Sequence, residues 1–234
     1  MMRLERRAPD PRLAGVVGRY ADFAQRTDAP CETGEVPGRG IVVIVDLDAG
    51  WTVEGGRFGS FVGGIYARPV RVRHEGSSRA VQFDLEPPAV RRLFGVPAGA
   101  LAEQTVDLDV LLGADAARLA DRLHGAADSA ERFAILDETL LRLAARAAPA
   151  RPDVERAWTL LRASRGTLRV DALADALGCS RRHLAARFVE DVGAGPKLAA
   201  RLIRLESVRN RLGTASLGRL AVEHGFADQA HLVS

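Results

Sequence analysis

The stretch LADALGCSRRHL, Leu173–Leu184, decides how the chain is read. Leu173, Ala174 and Leu177 recur at helical spacing and predict the inward face of a helix over about Val170–Leu177. Ala174 is small where a second helix crosses closely, and Gly178, four residues on, supplies the positive φ of a sharp turn. Ser180 then offers a hydroxyl that caps the next helix. In that helix Leu184 and Phe188 stand on the core side, and Arg181, Arg182, Ala185, Ala186 and Val189 occupy the other face. This is a helix-turn-helix pattern, and cationic residues in the first turn of its second helix suit entry into the major groove of DNA. An ordinary corner between two helices has the same local pattern, so the rest of the chain must separate the two readings.

A second copy does so. In SLGRLAVEHGFADQAHL, Ser216–Leu232, Ala221 again precedes a glycine, Gly225, by four positions, with Leu217 and Leu220 inward. The two turn glycines are 47 residues apart. Between them Leu198, Leu202, Leu205 and Val208 keep helical spacing, which predicts one long helix connecting two helix-turn-helix units.

Charge is distributed to match. Residues 1–150 carry 19 Arg against 21 acidic residues, net −2, whereas residues 151–234 carry 14 basic against 9 acidic residues, net +5. A basic back half is the electrostatic footprint of a nucleic-acid partner. Lys197 is the only lysine, and that excess of arginine reflects codon usage rather than phosphate binding. No apolar run approaches the length of a membrane span, the N-terminus lacks the apolar segment of a secretory signal, and Cys31 and Cys179 form neither a metal spacing nor a disulfide framework. A cytoplasmic, non-membrane protein is expected.

The front half reads as β-rich. Ile41–Asp46, Trp51–Val53, Val70–His74 and Ala80–Leu85 are strand-like, and Asp48-Ala49-Gly50 has turn chemistry. Pro87-Pro88 ends the last strand, and a short helix, Ala89–Phe94, stops at Gly95, where a left-handed cap is expected. From Asp107 the period becomes helical, predicting two amphipathic helices split near Gly125–Ser129. The expected fold class is therefore α+β. It comprises a small antiparallel barrel or sandwich, cupin-like, with following helices (1–146), a linker (147–153, overlapping the Pro-bearing stretch Ala144–Pro152) and an all-α domain (154–234). Trp51, Phe58, Phe61 and Tyr66 are the candidate lining of an effector pocket; the alternative is that these aromatics fill the core of the sheet. The helices between Asp107 and Ala145 serve either a homodimer, since paired half-sites reward two-fold symmetry, or only as a cover for the sheet.

With these residues quoted, the chain resembles the AraC-type (AraC/XylS) bacterial transcriptional regulators. The likeness lies in LADALGCSRRHLAARFVEDVGAGP, RLIRLESVR and LAVEHGFADQAHL; Gly225-Phe226, Asp228-Gln229 and His231 sit in the family's most specific block. FVGGIYARPVRV, FDLEPPAVRRLFGVPAGAL and VDLDVLLG are similar to the β-rich N-terminal domain of some members. The resemblance implies base-reading faces at Arg182, Ala185 and Ala186 in the first unit and at Gln229, Ala230 and His231 in the second. It places Ser180 and Arg181 near phosphate, and Lys197 is a further candidate phosphate contact. Arg182 suits a bidentate contact to guanine and Gln229 one to adenine, while the alanines reach a thymine methyl at most. Double-stranded DNA, a small-molecule effector and RNA polymerase are the implied partners. Family members continue past the second unit with a closing helix, whereas this sequence stops at Ser234, so a loosely docked second unit and low DNA affinity are expected.

Two functions follow. One is a sequence-specific transcription regulator; the other is a ligand- or protein-binding module with impaired DNA binding that pairs with a full-length regulator. No catalytic role, cofactor or metal is expected. His74, His124, His183, His224 and His231 are scattered, Cys179 reads as a buried core residue, and no nucleophile elbow, zinc-protease motif, P-loop or dinucleotide fingerprint occurs.

Overall fold

The computed structural model describes residues 2–146 and 151–209. Its front half is built from β1 (Met2–Arg7), β2 (Val17–Arg26), β3 (Cys31–Glu35), β4 (Ile41–Asp46), β5 (Trp51–Val53), β6 (Gly56–Phe58), β7 (Phe61–Gly63), β8 (Val70–His74) and β9 (Ser77–Leu85). Then come α1 (Val90–Phe94), β10 (Thr105–Asp107), α2 (Leu108–Leu112), α3 (Ala114–Gly125) and α4 (Ser129–Arg146). The strands form two antiparallel sheets, one in the order β1-β2-β9-β4-β7-β10 and one in the order β3-β8-β5-β6.

The larger sheet has two distinct faces because strand side chains alternate. Val81, Phe83 and Leu85 of β9, with Ile41, Val43 and Val45 of β4, face α1, α3 and α4 and belong to the main core. Ala80 and Ile44, one residue out of step, face the smaller sheet and join a second cluster with Trp51, Val53 and Phe61. The structure is thus a sandwich of sheets with helices on one outer face.

β1, β2 and β3 were not expected as strands. β2 is nonetheless central to the sheet, and its Asp22 is fully buried. That carboxylate accepts hydrogen bonds from Arg132 Nη1 (2.9 Å) and Ser129 Oγ (2.6 Å) of α4, while Arg132 also donates to the Leu123 and Ala126 carbonyls at the end of α3. Asp137, two turns along α4, receives Tyr20 Oη of β2 at 2.9 Å, the Asp10 amide at 2.8 Å, and Arg7 of β1. The region after Asp107 contains three helices rather than two, because Gly113, at φ 54° and ψ −133°, breaks α2 from α3. α1 ends at Gly95 in the left-handed conformation (φ 74°).

The back half comprises α5 (Pro152–Ala163), α6 (Val170–Ala176), α7 (Arg181–Val192) and α8 (Pro196–Arg209). α5 starts at Pro152, inside the stretch read as linker, with the proline at the position where its missing N–H costs nothing. The halves meet around Glu86, which is 2% exposed. Its carboxylate accepts from Arg39 Nη1 (2.6 Å) on the β-rich side and from Trp158 Nε1 (2.6 Å) of α5, and it pairs with Arg162 Nη1 at 3.0 Å. Arg39 also pairs with Glu206 of α8.

Two stability tests follow. Arg132→Met leaves the buried Asp22 carboxylate with only the half-exposed Arg3, 3.3 Å away, as counter-charge, so urea denaturation is expected to show a loss of about 3 kcal/mol. Replacing both partners, Asp22→Leu with Arg132→Met, should recover most of it. Glu86→Ala removes the shared acceptor of the Trp158 indole N–H and of Arg162, and leaves Arg39 only Glu206, at the junction of the halves. Calorimetry should show a loss of similar size, about 3–5 kcal/mol, with the Trp158 emission changing at a lower temperature than the far-ultraviolet signal of the sheets. Coincident transitions at the wild-type temperature would contradict that role for Glu86.

Candidate DNA-reading helix and interior cavity

α6 and α7 form a helix-turn-helix. Leu173 and Ala174 are buried on α6, and Leu184 and Phe188 are buried on α7. Gly178 takes φ 63° in the turn, and the Cys179 amide donates back to the Ala174 carbonyl at 3.1 Å. Ser180 occupies the cap position of α7, its hydroxyl accepting from the His183 amide at 3.2 Å. Cys179, expected in the core, is half-buried: the tight turn leaves it at the rim, where it packs against the core without entering it.

The far face of α7 is open. Arg181, Arg182 and Ala186 are exposed and Ala185 is half-buried; Val189, one further turn along, is 57% exposed. Arg181 is drawn to Asp171 of α6 at 3.0 Å, an exposed pair that contributes little and releases easily. Arg182 has no hydrogen bond or ion pair among the described residues, so its guanidinium is unspent. Lys197 is exposed in the first turn of α8. Val189 was read as part of this face but not as a site residue; its exposure, unusual for a large apolar side chain, marks it. Gln229, Ala230 and His231, and with them the second helix-turn-helix unit, lie outside the described residues.

The other end of α7 is fixed to the β-rich half. Arg91 of α1 donates to Asp191 at 2.7 Å and 3.1 Å and to Glu190 at 3.3 Å, while Arg151 forks onto Glu190 at 2.7 Å and 2.8 Å. That arginine holds the Glu190 carboxyl below its ordinary pKa. Between them the tight turn Ala98–Leu101 presses on the helix end so closely that a Cβ on Gly99 would lie 2.4 Å from the Val189 carbonyl oxygen. Only glycine permits that approach.

A second feature lies between the sheets, a cavity of about 850 Å³. Three of the expected effector-lining aromatics, Trp51, Phe61 and Tyr66, line it. Phe58 does not; it sits behind Phe61, ring centroids 6.0 Å apart, on the short β6 at the edge of the smaller sheet. At the end nearer the helical half stand Arg19, paired with Asp84 at 2.5 Å, and Arg39, with Glu206 of α8 beside it. The apolar lining is shared between Trp51 and Phe23 (rings edge-on, 5.8 Å) and the aliphatic Val42, Ile44, Val53 and Val72. Among the described residues no group of three or more His, Cys, Asp or Glu side chains is placed to hold a metal ion, and no helix is long and apolar enough to cross a membrane.

The comparisons with known proteins fit this geometry. A family profile described as a helix-turn-helix domain matches residues 173–234. The unsaturated-fatty-acid-bound structure of ToxT from Vibrio cholerae superposes with a TM-score of 0.53 at 10% identity, covering 97% of this chain and 91% of that one. An apo ToxT variant from the same organism gives 0.52 at 9% identity, over 91% and 90% of the two chains. The AraC-like transcriptional activator CuxR covers 89% of this chain and 87% of its own at 17% identity, with a TM-score of 0.34. No curated protein matches the chain in sequence. The chain therefore carries a helix-turn-helix domain behind a β-rich half and shares the fold of ToxT.

Proposed function

We propose that this protein is a transcription regulator that reads specific double-stranded DNA by placing α7 in the major groove and responds to a small molecule held between its two sheets. The observation that carries the reading is the division of α7. One face of it offers Arg182, Ala186 and Val189 to solvent, with Ala185 half-buried beside them, while the backbone and acidic side chains of its last turn are anchored by the Gly99 contact, Arg91 and Arg151. A helix held at one end and bare on its far face presents a preorganised probe to a groove.

In this reading Arg182 makes the bidentate contact to guanine, and Ala185, Ala186 and Val189 form an apolar strip suited to thymine methyls. Ser180 and Arg181, at the start of the helix, contact phosphate, as does Lys197 at the start of α8. Gln229, Ala230 and His231 take the same part in the second unit, so that two recognition helices on one connecting helix read successive turns of one operator. The cavity supports the effector, since its volume and its walls, aromatic and aliphatic side chains together with charged and polar ones such as Arg19, Arg39 and Asp84, suit a small amphipathic molecule. ToxT, whose fold this chain has, is known with an unsaturated fatty acid bound. A homodimer across the exposed side of α3 and α4, contact with RNA polymerase and residence in the cytoplasm complete the proposal, which assigns the protein no enzymatic step.

The test is selection of genomic fragments followed by fluorescence anisotropy at two salt concentrations. Selective binding with steep salt dependence is expected, because phosphate contacts release counterions. Arg182→Ala should cost about 1–3 kcal/mol on the selected site and relax preference at one base pair. Lys197→Ala should weaken all sequences alike and reduce the salt slope by about one. Unchanged preference in Arg182→Ala removes that assignment, and absence of DNA binding combined with capture of a second regulator would favour a module that works by pairing.

A further inference from the structure

The turn between α5 and α6 stores backbone strain in an arginine. Arg165 has φ 52° and Gly166 φ 74°, two successive left-handed residues after the cap residue Ser164. The turn closes on the end of α5, the Arg165 amide donating to the Arg162 carbonyl at 2.9 Å and the Gly166 amide to the Leu161 carbonyl at 2.8 Å. Gly166 has a reason to be glycine, since a Cβ there would lie 2.3 Å from the Ala200 carbonyl oxygen of α8. Arg165 has no such reason to be arginine, because the left-handed region favours glycine or asparagine. Its side chain is exposed and has no hydrogen bond or ion pair among the described residues. Strain kept for a side chain that holds nothing within the protein points to a contact outside it.

Gly166 seats this turn against α8, and the side chains around the seat are cationic. Arg201 follows Ala200 and is exposed, Lys197 is exposed one turn earlier, and Arg204 donates from Nη1 to the Gly166 carbonyl at 2.6 Å. Helical spacing puts Lys197, Arg201 and Arg204 on one stripe of α8. Neither Lys197 nor Arg201 has a side-chain partner among the described residues. Burial, together with the Arg201 charge, holds the Arg204 guanidinium below its ordinary pKa. Glu206, the acid of this helix, is taken by Arg39. In the other direction the turn leads to Arg169, whose side chain is 85% exposed and lies 3.7 Å from Asp171. The same carboxylate holds Arg181 of α7 at 3.0 Å. A row of cations thus runs from the first turn of α7, past the start of α6 and the strained turn, to α8. Duplex DNA carries a negative charge every 1.7 Å or so, roughly, along its axis, and a helix-turn-helix lays its first helix across the backbone while the second enters the groove. The row follows the path that a phosphate strand takes beside α7.

We propose that Arg165, Arg169 and Arg201 form a phosphate-binding band that continues from Arg181 to Lys197, grips the DNA backbone beside the groove and adds affinity without sequence preference. The proposal rests on the reading of α7 as the DNA-reading helix. The test is fluorescence anisotropy of the full chain on a mixed-sequence duplex of about 25 base pairs over a salt series. Arg165→Gly, Arg169→Ala and Arg201→Ala are compared with Arg118→Ala, an exposed arginine of α3, as control. Each band variant is expected to bind roughly three- to tenfold more weakly at about 0.1 M salt, with the salt slope reduced by about one, and the control to bind as wild type. Arg165→Gly separates a contact from a structural part. Glycine accepts the left-handed backbone freely, so thermal unfolding should show at least wild-type stability while DNA binding falls. On the selected operator the band variants should keep the wild-type base preference, and a neutral methylphosphonate that weakens the wild type should cost nothing further at one position in Arg201→Ala. Wild-type affinity and slope in Arg165→Gly and Arg201→Ala would overturn the band, as would an altered base preference in either. Loss of stability in Arg165→Gly matching its loss of binding would reduce that residue to a structural part and overturn its assignment. Unchanged DNA binding with lost capture of an acidic protein would give the band to that partner instead. A wild-type chain that binds no duplex fails the DNA-reading helix itself and takes the band with it, a result distinct from selective loss in the variants.

Discussion

A single buried carboxylate ties the two halves of this protein together. Glu86 directly follows β9 of the larger sheet, yet its charge is met by an arginine from its own half and by an indole and a second arginine from the helical half. Such a group is costly to desolvate and tolerable only when every lone pair is matched. Its contribution is therefore one of placement more than of net stability. The two halves fit in the one arrangement that brings Arg39, Trp158 and Arg162 to the same two oxygens. Because Arg39 also lines the cavity and pairs with Glu206, the same cluster touches the cavity mouth, the junction and the helix that leads out of the first helix-turn-helix.

The second anchor acts on α7. Arg91 and Arg151 converge on Glu190 and Asp191 from the two sides of the junction, and Gly99 lets the turn above them touch the helix backbone. These contacts involve the far end of α7 and leave its reading face bare. Orientation of the helix is thereby set in part from the β-rich half, through Arg91 and the turn that carries Gly99.

What the sequence disclosed depended on how local the determining contacts are. The helix-turn-helix was legible because Ala174, Gly178, Ser180, Leu184 and Phe188 act within about two turns of one another. β4, β5 and β8 were legible because their alternation is clean. β2 was not, since it places a buried Asp22 where a period-2 pattern calls for an apolar residue, and the partner that makes this possible, Arg132, is 110 positions away. β1 and β3 lie on sheet edges, carry many charges and show little alternation in burial. Glu86 looked like an incidental residue before two prolines, its partners being 47 and 72 positions distant. His74 was visible as a strand residue, but its place against the Trp51 ring is a property of the assembled sandwich alone. Trp51, Phe61 and Tyr66 do face the cavity and Phe58 does not, a distinction that rests on the short β6 hairpin.

The alternation of β9 and β4 has a consequence for how such a protein can diverge. On each strand one set of residues is committed to the helix-covered core and the interleaved set to the chamber between the sheets. Substitution of Gln82, Asp84, Val42 or Ile44 can reshape the chamber while Val81, Phe83, Val43 and Val45 hold the scaffold unchanged. Chamber shape and foldability are thus written on the same strands in separable alphabets, and a lineage can vary the chamber at every second position while the contacts that hold α7 stay as they are.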